Sequence, residues 1–338
     1  MYGYLILLCC VMYASGESEC PAIFGSEDRR DNLNVLRLMQ YNAEWLYMDY
    51  YKSMDCPGDG CPWHTIEDAQ QHMEYVTNVI NDLQPDIVNI CEVEGCDELN
   101  MLVDQLGKSY VPYLKKGTDT ETGQNVGMVT KIDPKIDLYR SEERVAYPVE
   151  YSQCGSSVNG TTGVSKHYIS EFDLGGINVA IIGVHLLAIP TDPARCSKRE
   201  AQSQVIQNIV SSYIDKEYEI ILLGDFNDYD DEIMDVNFNK PLSMVLDILK
   251  GNSGSKKGAY ELTNIAYRLQ QSERFSDWWD SDNNCATSST KDYSMIDHIL
   301  VTSNIDKKIV NAFIYHDYDE FCGKMNSDHY PVIIDIEI

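Results

Sequence analysis

Hydrophobic and polar positions change period several times along the chain, and each change marks an element. Residues 35–41 (VLRLMQY) alternate apolar and polar, predicting a half-buried strand that delivers Asn42 and Glu44 to its end. From Thr65 to Leu83 the apolar residues Ile66, Ala69, Met73, Val76, Ile80 and Leu83 return every three or four positions. That spacing predicts an amphipathic helix, opened by a Thr65/Asp68 capping pair and ended by Pro85. DIVNIC at 86–91 is a continuous apolar run, read as a buried strand leading to Glu92. A second helix is expected over 97–106, with Gly107 as its stop. Strands follow at 126–131, 168–173 and 177–184, the last two joined as a hairpin through Gly175-Gly176. Helix returns over about 198–214, then the strand EIILLGD and a short helix after Pro241. The aromatic stretch 268–294 has no period and is read as irregular. Strands at 295–302, 309–315 and 330–337 complete the pattern.

Strands and helices alternate, but neighbouring strands also occur, so the sheet is expected to be mixed. No Pro-, Ser- or Gly-rich linker and no repeat divides the 338 residues. Residues 17–338 are therefore taken as a single domain. The apolar run from Tyr4 to Ala14 is too short to span a bilayer, and its Ala14-Ser15-Gly16 end predicts a cleaved export signal over 1–16. No later segment is long and apolar enough for stable membrane insertion, and a secreted, extracellular monomer is expected. Nine cysteines remain beyond the leader, an odd number that predicts at least one free thiol. Cys56 and Cys61 flank the turn-like PGDG and are candidates for a local disulfide. Asn159-Gly160-Thr161 is an acceptor sequence for a glycan in an exported chain.

Lys and Arg number 26 against 54 Asp and Glu, a formal charge of −28. That balance excludes a broad basic face holding nucleic acid through its phosphates. A cation bound among carboxylates changes the local picture, because it neutralises the acids that hold it.

The candidate chemistry lies in NAEW (42–45), CE (91–92), GDFND (224–228) and SDHYPV (327–332), most of it at the ends of strand-like runs. Sheets gather such ends at one edge. Asn42 and Glu92 are hard oxygen donors of the kind that suit Mg2+. Asp225 and Asn227, two residues apart, can point the same way after the turn that Gly224 permits. Asp228, Asp230 and Asp231 are expected to form a solvated acidic loop. His329 beside a carboxylate fits proton transfer near neutral pH.

Taken in order, YNAEW, DIVNICE, GVHL, GDFND, MIDHILV and SDHYPV resemble the motifs of the endonuclease/exonuclease/phosphatase superfamily, in its deoxyribonuclease I-like form, over roughly residues 35–338. The resemblance implies a four-layered α/β sandwich with two central mixed β-sheets flanked by helices. It also implies metal-dependent hydrolysis of a phosphate ester. By matching motif positions, Glu92, Asn42 and Asp328 would bind the metal, with Mg2+ expected and Mn2+ or Ca2+ as alternatives. Asp225 and Asn227 would orient the attacking water and contact phosphate. His329 would act as general base or transition-state stabiliser, oriented by Asp297, and His185 would assist the leaving oxygen or bind phosphate. Lys166 and His167 sit where several branches place a phosphate-facing base, so His167 joins Asn42, Asn227 and His185 as a substrate-binding candidate. His298 and Cys91 depart from the common pattern without removing a ligand.

Nucleic acid is the expected substrate. A phospholipid headgroup, cleaved in the manner of sphingomyelinases, is the alternative, and a non-catalytic binding protein on the same fold is the third reading. Trp278 and Trp279 are candidates for stacking on a base or entering a lipid interface. Lys115, Lys116, Lys256 and Lys257 are candidates for backbone phosphate contacts.

Overall fold

The computed structural model describes residues 20, 25–48, 61–155, 158–254, 257–280, 285, 290–318 and 326–338. The expected leader, Cys56 and Lys256 lie outside these residues. The first half contains β1 (Val35–Leu46), α1 (Ile66–Leu83), β2 (Ile87–Val93), α2 (Cys96–Leu106), β3 (Val111–Leu114) and β4 (Asn125–Thr130). A two-stranded ribbon follows, β5 (Val145–Tyr147) with β6 (Gly160–Thr162). Next come β7 (Lys166–Leu174), β8 (Ile177–His185), α3 (Pro193–Ile214), β9 (Glu219–Asp225), α4 (Val245–Leu249) and β10 (Thr263–Asn264). The last part holds a second ribbon, β11 (Asp277–Trp278) with β12 (Tyr293–Ser294), then β13 (Asp297–Val301), α5 (Ser303–Asp306), β14 (Ile309–Ile314) and β15 (Val332–Glu337).

One sheet runs β14-β15-β1-β2-β4-β3 and the other β10-β13-β9-β8-β7. In each, one central pair is parallel, β1 with β2 and β8 with β9, and the other pairs are antiparallel. The two sheets are mixed, as the sequence predicts. Strand alternation then divides the core into three layers. Leu36 and Leu38 of β1 meet Phe172, Ile181, Ile221 and Ile299 between the sheets. Met39 and Tyr41, on the opposite face of β1, pack with Val76 and Ile80 of α1 and Leu99 of α2. Ile182 and Leu222 pack outward against Val205 and Ile209 of α3 and Leu246 of α4. The result is helix, sheet, sheet, helix: the four-layered sandwich. Each large apolar side chain sealed in these layers contributes roughly 1.5–3 kcal/mol.

Local signals act where expected. Thr65 and Asp68 form the reciprocal capping box of α1. Gly175 and Gly176 take φ of 65° and 86° between β7 and β8. The third helix starts at Pro193, five residues before the expected Lys198, because Asp192 caps it and Pro193 occupies its first turn. The short β3, β5 and β6 carry too little pattern to be read in advance.

Disulfides join Cys20 to Cys96 and Cys154 to Cys196, while Cys91 is a free, buried thiol. Asn159 is exposed.

Gly224 fixes how closely β8 and β9 approach. Its φ is 157°, and a Cβ there would lie 1.8 Å from the Val184 carbonyl oxygen. Gly224→Ala is expected to lower stability by more than about 1 kcal/mol. Urea unfolding monitored by circular dichroism checks this, and an unchanged midpoint would contradict the close approach.

Candidate active site

The second sheet sets four polar side chains in a row across its edge. Register places Lys166 beside His185, His185 beside Asp225, and Asp225 beside Asp297. The first sheet supplies the facing wall: Asn42 and Glu44 from a bulge in β1, Glu92 near the end of β2, and Asp328 and His329 just before β15. Glu44, Trp45, Glu92 and Asn227 all have positive φ, from 47° to 64°. Such backbone is uncommon outside glycine and costs of order 1–3 kcal/mol per residue, so the surrounding structure must impose it. Both walls line a cleft of about 630 Å3.

Asp225 and Asp297 are almost fully enclosed, at 2% and 1% exposure. The His329 Nδ1 lies 2.7 Å from Asp297 Oδ2, and its Nε2 faces the cleft, 3.7 Å from Asp277 Oδ1 and 3.8 Å from Asp328 Oδ1. Asp297 Oδ2 also accepts from Ser276 Oγ at 2.9 Å, and its Oδ1 accepts from Gln40 Nε2 at 2.9 Å. Asp225 Oδ1 accepts the Asn227 N–H at 2.9 Å, and Asp225 Oδ2 accepts from Asn42 Nδ2 at 3.1 Å. The His185 Nε2 sits 3.5 Å from Asp225 Oδ2 and 3.8 Å from Glu92 Oε1. These two carboxylates are the acidic neighbours that no motif identifies for His185. Its Nδ1 has no hydrogen-bond partner.

Crowded, buried carboxylates resist ionisation. Burial, then Asp297 and Glu92, holds Asp225 well above the usual carboxylate range. Glu44 is raised in the same way by burial, Asp328 and Glu92. Asp328 is pushed up to about 7 and Asp277 to about 6, again chiefly by burial. Burial opposes a charge on His329, but Asp297, Asp328 and Asp225 outweigh it and raise its pKa well above that of an ordinary imidazole. His185 moves the other way: burial, with Lys166 and His329 nearby, pushes it far down and keeps it neutral.

The donors fit a hard divalent cation. Several carboxylates share one cleft, and Asp328 Oδ1 has no hydrogen-bond partner. Asp277, Asp328 and His329 each offer an atom within 4.8 Å of the others.

Two candidates are placed differently from the roles expected of them. Asn42 turns its oxygen toward the backbone, where Oδ1 accepts the Glu44 N–H at 3.0 Å. A backbone N–H can only donate, so the Asn42 NH2 group is the end that faces Glu92, Asp225 and His329. His167 is outside the site altogether. On β7 it alternates with Lys166, and its ring pairs with Val164 O at 2.9 Å and the Ser141 N–H at 3.0 Å. Burial pushes it down to about 4. Lys166 instead reaches within 3.5 Å of His185 Nε2.

The acidic loop also differs from expectation. Asp228 is buried against Arg199 at 3.0 Å, and Asp230 is buried against Lys250 at 2.9 Å, while Asp231 is exposed. The two tryptophans divide: Trp278 is core, and Trp279, 67% exposed, lines the cleft. Lys115, Lys116 and Lys257 do not line it. His298 turns away from Asp297, its Nε2 3.0 Å from Asp228 O. Glu44 lies in the NAEW motif without an assigned role, and Asp277, Ser276 and Gln40 lie in none of the motifs. Glu44 had a signal in its place beside Asn42, whereas Asp277 and Ser276 lie in the aperiodic stretch.

Comparison with models of known protein families gives no match, and no curated protein matches the sequence. Solved structures do. TDP2 from Caenorhabditis elegans superposes with a TM-score of 0.54 and 15% identity, covering 90% of this chain and 75% of that one. A humanized D. rerio TDP2 carrying 14 mutations gives 0.53 and 13%, covering 90% of this chain and 100% of that one. The Neisseria 3' phosphatase NExo, bound to a product DNA hairpin, gives 0.58 and 14%, with the same coverage of 90% and 100%. Identities this low carry the fold alone.

The raised carboxyls make a stability prediction. Asp328 and Asp277 bind protons more tightly folded than unfolded, where an aspartate titrates near 3.9. Their protonated form therefore stabilises the fold, and that contribution is lost as pH rises through about 6 to 7. In chelator, Tm is expected to fall between about pH 5 and pH 7.5, and Asp328→Asn to flatten the fall. Scanning calorimetry across this window checks it, and a flat wild-type profile would contradict the crowding.

Proposed function

We propose that the protein is a divalent-cation-dependent phosphodiesterase of the endonuclease/exonuclease/phosphatase superfamily that hydrolyses nucleic acid. The observation that carries this reading is the Asp297–His329 pair facing a carboxylate-lined cleft across from Asp225 and Asn227. The fold shared with a 3' phosphatase bound to a DNA hairpin supports it.

Glu92, Asp328 and Glu44 would hold the cation. When bound, a divalent ion offsets the negative charge of these acids, stabilises charge on the phosphoryl and leaving oxygens, and eases loss of a proton from water. Asp225 accepts a hydrogen bond from the attacking water and aims it, with Asn227 fixed next to it. The Asn42 NH2 donates to a phosphoryl oxygen. With a cation offsetting the acids that favour a charge on His329, its neutral Nε2 would accept the water's proton, while Asp297 on Nδ1 keeps the ring turned toward the cleft. Neutral His185, between Asp225 and Lys166, serves the leaving oxygen.

Lys291 is the only lysine or arginine among the described residues lining the cleft. With a net charge of −28, that sparseness favours short or single-stranded ends over long duplexes gripped by their phosphates. A second reading, cleavage of a zwitterionic phospholipid headgroup, draws on exposed Trp279 beside these acids. Export fits the Cys20–Cys96 and Cys154–Cys196 disulfides, which belong to an oxidising compartment.

His329→Ala and Asp225→Ala are each expected to lower Mg2+-dependent cleavage of single-stranded DNA by roughly 10²–10⁴-fold. Their thermal midpoints in Mg2+ should stay near wild type. Oligonucleotide cleavage assayed beside phosphocholine-lipid vesicles, with and without EDTA, checks this. Full turnover in either variant would remove the proposed site, and vesicle hydrolysis alone would move the substrate to the lipid class.

A further inference from the structure

Gln40 is fully enclosed between the two sheets, at 0% exposure, on the face of β1 that otherwise carries Leu36 and Leu38. A primary amide in such a layer destabilises the fold unless its donors and acceptor are met, so its partners indicate why it is there. Its Nε2 donates to Asp297 Oδ1 at 2.9 Å, and its Oε1 accepts from Asn89 Nδ2. We propose that Gln40 is a positioning residue for the His329–Asp297 pair, seated by Asn89 and by the gap at Gly183. This inference rests on the proposed phosphodiesterase reading for its kinetic consequence, but not for its geometry.

The seat is built from both sheets. Asn89 on β2 is the register partner of Gln40 on β1. Its amide reaches across to β8, where a Cβ on Gly183 would lie 2.1 Å from Asn89 Oδ1. Only glycine leaves room for that amide, and the amide in turn fixes which end of Gln40 faces Asp297. With Oδ1 held by Gln40, the Asp297 carboxylate cannot swing about its own axis. Its Oδ2 therefore stays on the Ser276 hydroxyl and on His329 Nδ1. An Asp297 free to rotate would exchange these partners and let the imidazole turn away from the cleft. Gln40 thus acts on the cleft from behind, through Asp297, and touches no substrate.

The test is a double-mutant cycle in the full chain with Mg2+ and a single-stranded oligonucleotide. Gln40→Met keeps volume and removes the donor. It is expected to lower kcat roughly 10- to 100-fold, as misplacement of a reacting group does, with KM changed less than about twofold. In an Asp297→Asn background the same change is expected to cost less than about twofold, because its route is already cut. An equal loss in both backgrounds would overturn the proposal, as would a rise in KM with kcat retained. The His329 Nδ1–H resonance in proton NMR reads the geometry without turnover. It should shift or broaden in Gln40→Met, and an unmoved resonance would overturn the positioning role. A wild-type protein with that resonance but no hydrolysis would instead refute the phosphodiesterase reading and leave the positioning role to the NMR comparison. If Gln40→Met does not fold, Gln40→Asn, one methylene too short to bridge Asn89 and Asp297, is put through the same cycle.

Discussion

Like charges buried side by side are the constraint on which this molecule turns. Glu44, Glu92, Asp225, Asp277 and Asp328 line one cleft, and burial makes their mutual repulsion expensive. A fold does not assemble such a group for stability. The interior of the sandwich bears the cost through three apolar layers, and the cluster stays open to one side, where a cation can enter. The strained backbone at Glu44, Glu92 and Asn227 belongs to the same arrangement, since each of these residues is turned out of its regular path into the cleft.

Two sheets are needed to build it. Each contributes a parallel central pair whose strand ends fall at one edge, and packing the sheets face to face brings both edges together. His329 comes from the first sheet and Asp297 from the second, so their 2.7 Å contact is also a contact between layers. The same holds for Gln40 with Asp297 and for Asn42 with Asp225. Loss of inter-sheet packing would therefore scatter the site.

Much of this was legible from periodicity. The long strands and the helices α1 and α2 follow from alternation, from spacing of three and four, and from caps at Thr65 and Gly107. The acids and histidines at strand ends were legible because a sheet edge is where such residues converge. What escaped was decided by contacts distant in sequence. Asp228 and Asp230 read as solvent-facing because nothing nearby pairs with them, yet Arg199 and Lys250 lie 29 and 20 residues away and neutralise them. Asp277 and Trp279 lie in a segment without period, positioned by a two-residue ribbon. His167, next to Lys166 on a strand, faces the other way for a simpler reason, the alternation of side chains.

A divalent cation held at Glu92 is what the carboxylate cluster is proposed to bind. Calorimetric titration of Mg2+ or Mn2+ into the chelated, desalted protein tests it directly, with Glu92→Gln as the comparison. Saturable binding in the wild type that is lost in the variant is the expected result. No saturable binding, or binding undiminished by Glu92→Gln, would contradict the account.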